Sequence, residues 1–209
     1  MILKYLSDLK GIVAGNPKKK LIVAAAQDQH SLGAVIRAWQ DNIIEPILVG
    51  DEDEIRKICL ANNYTMEGMT ILHEPNMDIA VQTSVKMVSN RQADILMKGK
   101  VGTSTLLKSV LNKEWGLRTG NLLSHFALFE AETYHKVIAV TDVAMNISPN
   151  LQEKIAIIIW VQLEELIIVT TADTALEAVV LVPKDLTQHQ LTTSGMELVV
   201  MDYHFQIGL

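Results

Sequence analysis

The residues best equipped for chemistry lie in one stretch, Ala93-Asp-Ile-Leu-Met-Lys98-Gly99-Lys100-Val-Gly102-Thr103-Ser104-Thr105-Leu-Leu-Lys108. It reads as a buried strand ending near Met97, a glycine-containing loop, and a helix opening near Thr103. A strand that feeds a helix through small residues leaves backbone N–H groups unpaired beside the positive end of the helix dipole. That arrangement attracts an anion, and a phosphate group is the simplest ligand for it. Lys98 and Lys100 add positive charge, while Thr103, Ser104 and Thr105 add hydroxyl donors. An ordinary βα turn with a plain N-cap accounts for the same pattern, so both readings stand. Arg118, in Leu117-Arg118-Thr119-Gly120, is the next candidate, because its planar fork matches phosphate oxygens. A surface arginine in a turn is the alternative.

The elements that must position these residues follow from hydrophobic patterning. Leu21-Ile-Val-Ala-Ala-Ala26 is a continuous apolar run of the kind buried on both faces of a parallel sheet. Ser31–Gln40 reads as a helix, Glu45–Gly50 as a strand, and Asp51–Leu60 as a helix whose acidic first turn suits the dipole. Thr70–His73 is a further strand and Asp78–Ser89 a further helix. From 20 to 120 strands and helices alternate, which predicts α/β architecture: a mostly parallel sheet with helices on both faces, three layers in all. Leu122–Phe129 and Lys136–Val140 are close enough to form an antiparallel hairpin. The loop Thr141-Asp142-Val-Ala-Met-Asn146 carries an Asp and an Asn able to orient a hydroxyl or phosphate, or to make turn hydrogen bonds. Asn150 is placed to cap a helix starting at Leu151, and a last strand is expected near Leu198.

Composition excludes several classes. A net charge of −6 argues against nucleic acid as a general partner, because a phosphate-backbone binder needs a basic surface. One cysteine, Cys59, leaves no intrachain disulfide and fits a reducing compartment; its apolar neighbours Ile55 and Ile58 place it in a core. The N-terminus has no apolar core long enough for a signal peptide, and no apolar run is long enough for a membrane span. The expectation is a cytoplasmic protein. GxGxxG after the first strand, GxxxxGK[ST], HExxH, paired cysteines and GxSxG are all missing, so the loop at Lys98 is not a P-loop.

Several stretches in order resemble the phosphate acyltransferase family, in particular its phosphate butyryltransferase (branched-chain phosphotransacylase) branch. They are Ala24–His30, Pro46–Asp51, Ala93–Thr103, Leu117–Gly120, Leu123–His125, Thr141–Asn146 and Asn150–Lys154, and the resemblance spans about residues 15 to 158. It implies exchange of an acyl group between coenzyme A and inorganic phosphate, with CoA as substrate and neither metal nor cofactor. It also implies a two-domain scaffold like that of isocitrate and isopropylmalate dehydrogenases, with a site in the cleft, and a homodimer. On that basis the first domain is residues 1–145, and 146–209 form a reduced second domain. Lys98, Gly99, Lys100, Gly102, Thr103, Arg118, Thr119 and Ser124 would bind substrate, and Asn146 would stand among the catalytic groups. Beyond Ile159 the resemblance breaks down. Val169-Thr170-Thr171-Ala172-Asp173-Thr174 is similar to a family motif in which a Ser-Arg pair precedes Ala-Asp-Ser/Thr. Thr170 then stands for the serine that stabilises the transition state, Glu177 near the base towards the CoA thiol, and Thr171 where the arginine belongs. Two other readings remain: a remnant that binds phosphate or acyl phosphate without turnover, and a metal-dependent hydroxyacid dehydrogenase, for which no convincing aspartate cluster exists.

Overall fold

The computed structural model describes residues 5–13, 15–129, 138–142, 145–163, 179–183 and 196–200. Four parallel strands form the central sheet: β1 (Lys19–Ala24), β2 (Ile44–Gly50), β3 (Thr70–His73) and β4 (Ile95–Lys98), in the order β3-β2-β1-β4. Register pairs Ala24 with Val49 on one side and with Lys98 on the other. The helices α2 (Gln29–Gln40), α3 (Glu52–Ala61), α4 (Met77–Ser89) and α5 (Thr103–Val110) alternate with the strands. A short α1 (Asp8–Val13) precedes them.

Alternation along β1 explains the three layers. Ile22 and Ala24 face a cluster with Val81, Val85 and Val88 of α4 and Leu106 and Val110 of α5. Leu21 and Val23 face the opposite cluster, with Leu32, Val35 and Ile36 of α2 and Ile55 and Cys59 of α3. Leu21, Ile22 and Val23 are fully buried, each worth about 1.5–3 kcal/mol in transfer free energy. Cys59 is buried too, in accord with its apolar flanks, and burial raises its thiol pKa despite the nearby Arg56.

Strand order has a functional consequence. The chain steps from β1 outward to β2 and β3, then returns to place β4 on the other flank of β1. The reversal opens a crevice between the C-terminal ends of β1 and β4, which is where open α/β sheets hold ligands. The loop after β4 is the one singled out from the sequence.

Past α5 the chain forms an antiparallel pair, β5 (Phe126–Phe129) with β6 (Ile138–Thr141). The expected hairpin is therefore present, with its first strand starting four residues later than Leu122. The helix α6 (Leu151–Leu163) follows, opened by a capping box: Asn150 N donates to Glu153 Oε2 at 2.7 Å and Glu153 N to Asn150 Oδ1 at 3.0 Å. A second antiparallel pair, β7 (Val179–Pro183) with β8 (Met196–Val200), includes the strand expected near Leu198. Among the described residues no helix is long and apolar enough to cross a membrane.

Candidate functional site

Two helix N-termini open beside the crevice, and they differ. α2 is capped by Asp28, whose Oδ2 accepts from Ser31 N and from Ser31 Oγ, each at 2.8 Å. The same hydroxyl lies 3.3 Å from Lys98 O, which ties the start of α2 to the end of β4. A carboxylate thus already occupies the positive end of α2. α5 begins instead at Gly102, whose backbone has N-cap geometry (φ −64, ψ 138) but no side chain to accept from the first turn. Asp51 on α3 and Asn76 on α4 supply that acceptor for their helices. The first turn of α5 therefore has no side-chain cap, while Thr105 N already donates to Gly102 O at 3.0 Å.

The backbone N–H groups leading to Gly102 are bonded, so they are not among the unpaired donors expected at this junction. Gly99 N donates to Ala24 O at 2.9 Å, Lys100 N to Ala25 O at 2.7 Å, and Val101 N to Gly99 O at 2.8 Å. The loop stays close to β1 because position 99 has no side chain. A Cβ there would collide with Ala25 O and would lie 2.8 Å from Ala24 O, both backbone atoms. Ala25 itself is in the left-handed region, φ 57, at a cost of about 1–2 kcal/mol. Among the main-chain donors of this loop, those of Gly99, Lys100 and Val101 are thus already committed.

The cations are placed unequally. Lys98 is half-buried, with Nζ 3.5 Å from Val101 O, so its charge stays over the loop. Lys100 is exposed and pairs with Glu54 Oε2 at 3.6 Å, which turns its charge towards the start of α3. Arg118 and Thr119 are exposed. Leu117 N is bonded to Val110 O at 2.7 Å, so the Arg118 backbone leaves from the C-terminal end of α5, opposite the open N-terminus. Arg118 makes no ion pair among the described residues. The Thr119 hydroxyl accepts from Asn121 N at 3.4 Å, holding its own turn.

Ser124 is half-buried and precedes His125, which is 4% exposed. Around them lies a network whose central member is Asp142, noted in the sequence with Asn146 but not placed among the site residues. Asp142 N donates to His125 O at 2.6 Å, and Thr141 Oγ1 donates to the same oxygen at 2.9 Å. Asp142 Oδ1 accepts from Asn146 N and Asn146 Nδ2, both at 3.1 Å. Asn146 Nδ2 also donates to Leu123 O at 3.0 Å. Leu123 packs against the cluster that holds Leu96 of β4 and Leu106 of α5, which joins this corner to the central sheet. Burial lowers the His125 pKa, and the Asp142 carboxylate pulls it partly back. The sequence signal for Asp142 was its place in a polar loop at a strand end, the same signal that pointed to Asn146.

Thr170 and Glu177 lie outside the described residues. No group of three or more His, Cys, Asp or Glu suited to a metal ion occurs among the described residues.

Residues 72–164 match the family model for phosphate acetyl/butaryl transferase. Phosphate butyryltransferase of Clostridium acetobutylicum is 44% identical over 157 residues, 75% of this chain and 52% of that protein. Phosphate acetyltransferase of Thermotoga maritima is 37% identical over 140 residues, 67% of this chain and 47% of the relative. A branched-chain phosphotransacylase from Enterococcus faecalis V583 superposes with TM-score 0.54 and 28% identity, over 67% of this chain and 48% of that one. A phosphotransacetylase from Streptococcus pyogenes gives TM-score 0.60 at 18% identity, over 74% and 56% of the two chains, a likeness of fold alone. The chain spans about half the length of the curated relatives it matches.

Proposed function

We propose that this chain, whose residues 72–164 match the phosphate acetyl/butaryl transferase model, carries the phosphate-facing part of an acyltransferase site. The reaction is acyl-CoA plus phosphate in exchange with acyl phosphate plus CoA, with a butyryl or branched acyl group. A phosphate oxygen attacks the thioester carbonyl carbon, the C–S bond breaks, and the thiol leaves with a proton. Positioning the two substrates supplies much of the rate, and fixed positive charge stabilises the oxyanion that develops.

The observation that carries this reading is the open N-terminus of α5 at the strand-order reversal, beside half-buried Lys98. Gly102 and Thr103 would hold the phosphate by main-chain donors, and Gly99 keeps the loop in place. Lys98 would contribute charge, with Lys100 further out. Arg118 and Thr119 would close over the phosphate from the far side of α5, Arg118 by a swing of its uncommitted side chain. Ser124 and Asn146 would stand on the acyl and CoA side, with Thr170 and Glu177 from the second half of the chain. The rest of the proposal is a two-domain, isocitrate dehydrogenase-like scaffold dividing near residue 145, a homodimer, and a cytoplasmic location.

The test is thiol release from butyryl-CoA by the purified chain in the presence of phosphate. Phosphate-dependent release is expected, and its absence would sink the reading in favour of a phosphate binder. Arg118→Ala is expected to raise the phosphate KM about tenfold or more, the worth of a charge-assisted fork to phosphate. Because Arg118 is exposed and unpaired among the described residues, its loss leaves the fold intact. An unchanged KM would make it a surface residue.

A further inference from the structure

The end of β1 departs from strand geometry at one residue, and the departure faces the loop after β4. In a regular strand successive peptide planes aim their carbonyls to alternate sides. Ala24 O points towards β4, where it accepts from Gly99 N at 2.9 Å. A regular continuation would aim Ala25 O the other way, at β2. Ala25 stands instead at φ 57, and its carbonyl accepts from Lys100 N at 2.7 Å, again on the β4 side. The N–H of the same peptide, Ala26 N, donates to Val49 O of β2 at 2.9 Å. The 25–26 peptide is therefore turned over, and it spans from β2 to the loop.

Positive φ is the province of glycine, and an alanine keeps it only where its surroundings hold it there. Ala24, Ala25 and Ala26 are fully buried. The turned peptide gives two successive loop residues, Gly99 and Lys100, a main-chain anchor each. Gly102, which opens α5, is two residues further on, so the anchors fix where that helix begins. We propose that Ala25 is a positioning residue for phosphate binding: its left-handed turn puts a second carbonyl against the loop, so that the loop and the start of α5 are set before the anion arrives. A preset loop spares the anion the entropy of ordering it. The proposal rests on the acyltransferase reading of the site; Ala25 itself touches no substrate in it.

Inorganic phosphate is titrated by calorimetry into the purified chain, Ala25→Gly and Ala25→Val, and hydrogen exchange at the Lys100 amide is followed in each. Glycine takes positive φ freely, so Ala25→Gly should keep that amide protected and phosphate affinity within about twofold. A β-branched side chain is a genuine outlier at positive φ, so Ala25→Val should turn the peptide back and free the Lys100 amide to exchange. Phosphate should then bind about fivefold more weakly, the fold-change of one main-chain hydrogen bond. Where valine overpacks this buried site and the chain does not fold, an ester in place of the Lys100 N–H removes the same anchor with residue 25 untouched, and the same weakening is expected. Val85→Ala, a cavity under α4, is the control: it lowers stability and should leave phosphate affinity within about twofold. Unchanged phosphate affinity in a folded Ala25→Val or ester chain overturns the role of Ala25, as does an equal loss in Val85→Ala or a Lys100 amide that exchanges freely in the parent. A parent chain that binds no phosphate defeats the reading of the site itself, and the positioning role with it.

Discussion

Replacing Gly102 by Asp sets helix stability against anion binding at one position. The backbone there already has N-cap geometry, φ −64 and ψ 138, close to Asp51 at −69 and 107 and Asn76 at −79 and 113. Asp51 accepts from Asp53 N at 3.0 Å and Glu54 N at 3.2 Å; an aspartate at 102 would meet Ser104 N two residues on, while Thr105 N already donates to the residue-102 carbonyl at 3.0 Å. Space is available, since the nearest atom to an added Cβ is Ser104 Oγ at 3.9 Å. A cap at an unstrained N-terminus is worth about 0.5–1 kcal/mol over glycine once the dipole is included. For a chain of this size that raises Tm by roughly 1–4 °C. The same carboxylate takes the donors a phosphate would use and opposes its charge. At about 4 Å and an effective dielectric near 20, each pair of like charges costs roughly 4 kcal/mol before screening, and the exposure of the site reduces this. Phosphate affinity should therefore fall at least about tenfold. Thermal unfolding and phosphate titration of Gly102→Asp measure the two effects together. A higher Tm with unchanged phosphate affinity would refute the anion site, and an unchanged Tm would refute the open cap.

Gly99→Ala should cost about 2–4 kcal/mol, because the added Cβ meets Ala24 and Ala25 backbone and the bonds from Gly99 N and Lys100 N must break; urea unfolding that shows less than 1 kcal/mol would mean the loop can lift off β1 freely. His125 has a pKa below its ordinary value of 6.5, chiefly through burial, so the unfolded chain takes up the proton first. Stability contributed by the neutral ring is present above pH 6.5 and is lost as the pH falls through the folded pKa. His125→Gln should flatten the fall in stability that thermal melts show as the pH drops below about 6.5; an unaltered slope would place that dependence elsewhere.

The sheet was legible in the sequence because its strands are buried on both faces. Leu21–Ala26 and Ile95–Met97 leave no position for a polar side chain, so runs of apolar residues marked them directly. The cap at Asn150 was legible for a similar reason, since it acts on a donor three residues away, whereas Asp51, read as part of an acidic first turn, proves to be the cap of α3. The state of the loop at Lys98 was not. Whether Gly99 N and Lys100 N are free depends on Ala24 and Ala25, about 75 residues earlier, and on a left-handed turn at an alanine that no propensity suggests. The partner of Lys100 is likewise distant in sequence, at Glu54. Asp142 was visible as a polar loop residue, but its contacts were not, because they are relational: it bonds to Asn146 and His125, and through Asn146 reaches Leu123, all brought together by the β5–β6 pairing.

These long-range ties bear on how one sheet edge distinguishes two helix ends of equal intrinsic polarity. Both α2 and α5 begin at the crevice, and both dipoles would attract an anion if bare. Asp28 fills the first with a carboxylate and, through Ser31, fastens it to Lys98 O. The ligand-facing charge of α2 is thereby cancelled while its N-terminus is made part of the wall beside the loop. With α2 closed, Gly102 leaves α5 as the uncapped dipole at the reversal, and half-buried Lys98 keeps its ammonium over the same turn. Among the described residues, the proposed seat for an anion is therefore the start of α5 and not that of α2. The location of that seat depends on Asp28 as much as on any residue that would touch the anion.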